Sequence, residues 1–317
     1  MINNLIRRDT GSILNIAKIF SILCVILAHS RINDCSYYSH LAERLGCLGV
    51  VTFFFIAGYF FNISKYGFAV FFKKKVTSIF IPWLFWGSAV FFISKEPKNF
   101  ISWGNWIIGN GTYLYYLTIL IICYLIFSIS EKIFFCYLII FLNIVSLLLT
   151  SFNIINSYLD INNYLNPFNW IGFFAVGILF KNYFFNFLVF INKYRFRIII
   201  LYLLFLLLSI NLETEHGYFS KLAIINDLLG MIAVFSISCL KFFNKKNILK
   251  IADYTFTIYL IHFLVFPIRK FLIINYATQF FNPLVYLIVS LFIVLIGKYI
   301  AEKINLLKFY NTLLGIR

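Results

Sequence analysis

The chain has 317 residues, 62% of them hydrophobic and 12% charged, with a mean hydropathy of +0.91. A soluble domain of this size carries about twice that charge, so a water-soluble globular protein is excluded and a polytopic membrane protein is expected. The net charge of +16 raises a nucleic-acid partner, but the basic residues cluster in short loops between apolar runs, as orientation signals do, and no nucleic acid is expected.

Apolar windows long enough to span a bilayer fall at 13–30, 47–63, 76–94, 113–130, 133–150, 166–183, 197–212, 221–240, 254–275 and 282–301. They predict an all-α bundle of about ten transmembrane helices, with residues 1–317 forming one membrane-embedded domain. The first window lacks a small-residue cleavage pattern and continues as a span, so no cleavable signal peptide is expected. With ten spans, the N-terminus and the segments after even-numbered spans carry nineteen Lys and Arg, against seven on the other side, Lys18 being inside a span. The positive-inside rule then places both termini in the cytoplasm.

The first span carries the most informative pair. Lys18 and His29 are eleven residues apart, three turns of helix, which puts them within about 20° of each other and about 16 Å apart along the axis. An ionisable residue inside a span is costly and points to function. His29, near the outer end, is a candidate general base because its ordinary pKa is near neutrality; it is equally a polar residue capping the span beside Ser30 and Arg31. Lys18 is a candidate anion or ligand contact, or a cation snorkelling to the cytoplasmic headgroups.

Further along, Phe53 to Tyr59 contains Ala57 and Gly58, small residues that let helices approach closely. Lys73, Lys74 and Lys75 form a basic run at a membrane border, an orientation signal or a docking patch for a phosphorylated donor. Pro82, inside the next span, opens backbone groups, which is tolerated where protein or a cavity covers them. In the ninth window, His262 lies halfway along its span, and Asp253 reads as a helix cap. His40 and His216 fall in outer loops without an assigned role, and Glu213 and Glu215 read as solvated. The six cysteines show no zinc or redox spacing; five read as small apolar residues, and Cys35 is near enough in sequence to Cys47 for a disulfide. No phosphate-binding Gly-rich loop and no Ser-centred nucleophile elbow is present, which argues against a nucleotide-driven pump and a serine hydrolase.

Together these segments resemble acyltransferase family 3. The family's hallmark is a basic residue, ten intervening residues and a histidine in the first span, here Lys18 and His29. Its phenylalanine pair before Ser-Gly-aromatic is similar to Phe54-Phe55-Ile56-Ala57-Gly58-Tyr59, with alanine for serine. Its basic run leading to a proline-aromatic pair is similar to Lys73-Lys74-Lys75 through Pro82-Trp83. Leu114-Tyr115-Tyr116-Leu117 followed by Tyr124-Leu125, and Tyr254 through Tyr259 to His262, are similar to two later segments. Asn15 stands where an acid often precedes the basic residue by three, and Ser78 where a second arginine often precedes the proline.

The resemblance implies an integral membrane O-acyltransferase of the inner membrane. It implies acetyl-CoA (acyl-CoA) as co-substrate, no permanently bound cofactor or metal, and a sugar or lipid-linked glycan as acceptor. His29 is then the catalytic base, and Lys18, Lys73, Lys74, Lys75, Tyr115, Tyr259 and His262 are substrate-binding. Two rivals stand beside it. A transporter or flippase of lipid-linked glycans needs pathway-lining charges across several spans, which are sparse here. A glycan polymerase usually has one very long outer loop, which is not seen.

Overall fold

A bilayer offers backbone groups no water to bond, so a chain this apolar must pair its amides internally. The computed structural model describes residues 2–30, 37–154, 162–213, 216–243, 245–266 and 281–316. Among them every regular element is helical. In chain order the principal helices are α1 (Ile2–Ser30), α2 (Tyr37–Tyr59), α3 (Phe68–Ile93), α4 (Phe100–Ile108), α5 (Tyr115–Ile129), α6 (Ile133–Ser151), α7 (Ile171–Leu179), α8 (Phe184–Leu212), α9 (Ala223–Ser238), α10 (Lys246–Ile251), α11 (Thr255–Val265), α12 (Asn282–Lys303) and α13 (Leu307–Leu314). Seven stretches are long and apolar enough to cross a membrane: Thr10–Ser30 of α1, then α2, α3, α6, α8, the stretch Lys246–Val265, and α12. Helices α5 and α9 are apolar but shorter.

Two of the ten windows take a different form from the one expected. The window at 166–183 contains a 3-10 turn opened by Pro167 and the nine-residue α7, too short to span alone. The window at 197–212 is the second half of the 29-residue α8. That helix runs on through Lys193, Arg195 and Arg197 because such side chains can carry their charge away from the apolar stem. Cys35 and Glu215 lie outside the described residues, so the possible Cys35–Cys47 disulfide falls there too, as does the end of the 254–275 window.

The chain divides into two units. The first comprises Met1–Phe61 and Ile129–Ala252 and holds α1, α2 and α6 to α10. Helix α2 is its centre, and glycines set the closeness of its contacts. Gly46 and Gly49 press on Ala28 and on Ser21 and Val25 of α1, where any Cβ would overlap. On another face, Gly58 meets the Phe174 carbonyl of α7 while Gly177 of α7 meets the Phe55 carbonyl. This reciprocal pair gives α2 and α7 a backbone approach that larger residues would forbid, as expected for Gly58. Phe235 packs edge to face on both Phe55 and Phe184 around the contact. Buried hydroxyls bond their own helix: Ser21 to the Ala17 carbonyl at 2.7 Å and Ser238 to Val234 at 2.7 Å. One side of α8, with Leu201, Leu204 and Leu208 more than half exposed, is the apolar face a bilayer would cover.

The second unit comprises Asn62–Ser128 and Asp253–Arg317. Its helix α3 contains a π-helical turn, Val76–Phe80, directly after the three lysines. Pro82 has no N–H to return to the turn below. The Ser78 carbonyl there faces Gly315, whose Cβ, if it had one, would be 2.6 Å away. Gly315 caps α13 in the left-handed region at φ +69°, and the last carbonyls of that helix are taken up by its neighbours. Trp86 Nε1 donates to Leu313 at 2.8 Å and Thr257 Oγ1 to Leu314 at 2.7 Å, so α13 is held by α3 and α11. Asp253 is exposed and does not cap α11: the cap position falls to Tyr254, which makes no side-chain cap bond.

Candidate active site

Helix α1 runs unbroken from Ile2 to Ser30, so the arithmetic of Lys18 and His29 holds in space. Both lie on one face, about 16 Å apart. His29 is exposed, in the last turn. Lys18 is half-buried; its Nζ donates to Asn15 Oδ1 at 3.3 Å and stands 5.4 Å from the centre of the Phe60 ring. Asn15, where an acid was anticipated, thus supplies a neutral oxygen and leaves the lysine's charge uncompensated by that partner. The separation also means that only a long ligand reaches both side chains.

The first unit also carries buried polar groups that sequence reasoning passed over. Arg44 of α2 is fully buried and forms an ion pair with Glu213, while its Nη1 donates to Ser220 Oγ at 2.6 Å. Asn226 Nδ2 donates to the Arg44 carbonyl at 3.1 Å and lies 3.3 Å from Asp227 Oδ1. Glu213 Oε1 accepts the Leu222 amide at 3.0 Å. Glu213 is therefore a structural ion, not a solvated loop residue: pairing and hydrogen bonds offset its burial. His216 is buried and its ring packs on His40 with centroids 4.1 Å apart. Burial lowers its pKa below the ordinary histidine value, with help from His40 and Arg44 and against Glu43 and Glu213. The sequence signal for this cluster was the recurrence of His and Glu at two loop borders far apart in the chain, with Arg44 at the first.

The second unit gathers three of the motif segments. Of the lysines, Lys73 is exposed, Lys74 lies over the Tyr66 ring with Nζ 3.6 Å from its centre, and Lys75 donates to the Tyr124 hydroxyl at 3.1 Å. Lys75 also faces the rings of Phe71 and Tyr124, so it serves to join α3 to α5 as well as to carry charge. Tyr115 and Tyr116 are buried at the start of α5, and Tyr116 packs edge-on against Tyr259 at 5.4 Å. The Tyr259 hydroxyl donates to the Tyr113 carbonyl, and Tyr113 returns a bond to the Leu260 carbonyl at 2.7 Å. His262 is completely buried, with Nδ1 2.6 Å from the Tyr259 carbonyl and its ring against Tyr113 and Phe263. A carbonyl only accepts, so Nδ1 carries the hydrogen.

The expected site residues thus fall in two sets. Lys18 and His29 belong to the first unit, and Lys73, Lys74, Lys75, Tyr115, Tyr259 and His262 to the second. Within the second set, Tyr259 and His262 share one aromatic cluster with Tyr113 and Tyr116, and Lys75 reaches Tyr124 of the Tyr115 helix.

The sequence model of the family described as acyltransferase domain matches residues 12–303, a span that includes every one of these residues. No curated protein and no solved structure matches the chain.

Proposed function

The chain belongs to acyltransferase family 3, and from that premise we propose that it transfers acetyl from acetyl-CoA to a sugar hydroxyl of a surface glycan. The observation that carries the reading is the uninterrupted first helix, with an exposed histidine at its end and a half-buried lysine three turns below on the same face. Acyl-CoA is long, anionic at one end and reactive at the other, and so can engage both.

In this reading the donor's pantetheine arm passes Lys18 of the first unit, and Lys73 and Lys74 of the second unit are the candidate contacts for its phosphates. His29 takes the proton from the acceptor hydroxyl as its oxygen attacks the thioester carbonyl. The new C–O bond forms, the C–S bond breaks, and the coenzyme thiolate leaves. The positive charge on the imidazole then forms at the negative end of the helix dipole, where it is favoured. An acyl-histidine intermediate is the two-step version of the same chemistry. Tyr259 and His262, from within their aromatic cluster, and Tyr115, buried at the start of α5, support the donor side.

The test is mass spectrometry of the surface glycan from cells with and without this protein. A mass difference of one acetyl group per repeat is expected. An unchanged glycan in cells that make the protein would remove the acceptor assignment.

A further inference from the structure

The loops that precede α7 and α9 bring four aromatic rings together in the first unit. Trp170 is the buried floor, 1% exposed, and its Nε1 donates to the Tyr164 carbonyl at 3.0 Å. Tyr164 lies above it nearly parallel, with centroids 6.4 Å apart and planes 23° apart, and is 39% exposed. Tyr218 and Phe219, both part-exposed, close the group at 5.0 Å from Trp170 and 5.1 Å from Tyr164 respectively. On the same two loops, one residue before Tyr164 and two before Tyr218, Asn163 Oδ1 and His216 Nδ1 are buried without a hydrogen-bond partner among the described residues. His216 as a whole is 2% exposed.

The cluster adjoins the end of α1. The Tyr218 hydroxyl lies 3.5 Å from the Gly46 carbonyl, and Gly46 is pressed on Ala28, the residue before His29. An interfacial belt of aromatics spreads around a protein's perimeter. This group is concentrated, backed by one buried indole, and paired with unsatisfied polar atoms.

We propose that Tyr164, Tyr218 and Phe219, seated on Trp170, form a subsite that holds a sugar ring of the acceptor beside His29, with His216 and Asn163 receiving its hydroxyls. The proposal rests on the glycan-acceptor reading above. A pyranose has C–H faces that pack on aromatic rings and hydroxyls that need partners, the combination that small-molecule sites provide with apolar walls and a few placed polar groups. Buried donors and acceptors left without partners cost free energy, and a bound sugar's hydroxyls relieve that cost.

The test uses membranes containing the full chain, labelled acetyl-CoA and the host's own lipid-linked glycan as acceptor. Tyr164→Ala combined with Phe219→Ala is expected to raise the apparent KM for the acceptor about tenfold or more, with the donor KM unchanged. Tyr164→Phe, which keeps the ring, is expected to behave as the parent. If the double variant fails to accumulate, Tyr164→Leu replaces it, since a part-exposed position tolerates that change. An acceptor KM unmoved by loss of the rings overturns the subsite and leaves the glycan reading standing. Transfer of label by the parent to something other than carbohydrate overturns both, so the two failures are distinct.

Discussion

His29, Arg44 and His216 all belong to the first unit and have three different relations to the sequence. His29 and Lys18 were legible because one helix needs only counting, and eleven residues return a side chain to the same face. Replacing His29 with Ala should lower acetyl transfer by at least about a hundredfold, the lower bound for a positioned base, while the protein inserts and accumulates normally; activity within a few-fold of the parent would move the search for the base elsewhere. Arg44 was not legible, because its partners Glu213 and Ser220 are 169 and 176 residues away and nothing local foretells burial. Arg44→Ala should cost about 3–5 kcal/mol, since it strands a buried carboxylate, whereas Arg44→Met with Glu213→Leu should cost much less. Thermal unfolding in detergent compares them, and equal losses would mean the pair is not an isolated clasp. The lowered pKa of His216 makes a signed prediction. The folded state holds that proton less readily than the unfolded chain, so its contribution is fully present above about pH 6.5 and is lost as pH falls below it. His40, Glu43, Glu213 and Arg44 face the same group and shape the slope. The parent should therefore lose stability between about pH 6.5 and 5 more steeply than His216→Gln; parallel curves would assign the slope to other groups.

At the scale of elements, the reading of small residues and of proline succeeded for a physical reason. Glycine in a span has few uses other than close approach, and Gly58 has that use against α7. Gly177→Ala should push α7 off the Phe55 carbonyl and cost about 1–3 kcal/mol as an overpacked contact, visible as a lowered unfolding temperature; an unchanged temperature would mean the two helices have slack. Window length failed at α7, because an apolar run reports burial and not the number of turns that Pro167 and the turn after Leu179 leave. The three lysines divide in a way that charge alone could not show. Lys73 is exposed while Lys75 is bonded to Tyr124. Lys73→Gln should raise the donor KM with little effect on stability, as expected for a phosphate contact, and Lys75→Gln should lower stability as well. Donor KM rising only for Lys75→Gln would reverse these assignments. The π-helical turn after them, a geometry frequent at functional sites, left no mark in hydropathy, since it changes hydrogen-bond spacing without changing composition.

For the whole molecule, hydropathy gave the class and the helical content, and left the span count dependent on helices such as α5 and α9 that fall short of full length. The nineteen-to-seven division of Lys and Arg predicts that reporters fused after the C-terminus and within the loop at 94–99 read opposite sides of the membrane; the same side for both would break the assigned orientation. The division of motifs between units was beyond sequence reading, because each motif was local and the units are not. The first unit opens with α1 and closes with α10, and the first stretch of the second unit is inserted between its parts. Synthesis follows the chain, so a ribosome delivers α1 and α2, then all of α3 to α5, before any of the helices that complete the packing around Arg44. Closing so long an interval is slow. The helix bearing His29 is thus made well before the helices that complete its unit, and through that wait Arg44 must be kept hydrated or shielded by something other than its own partners.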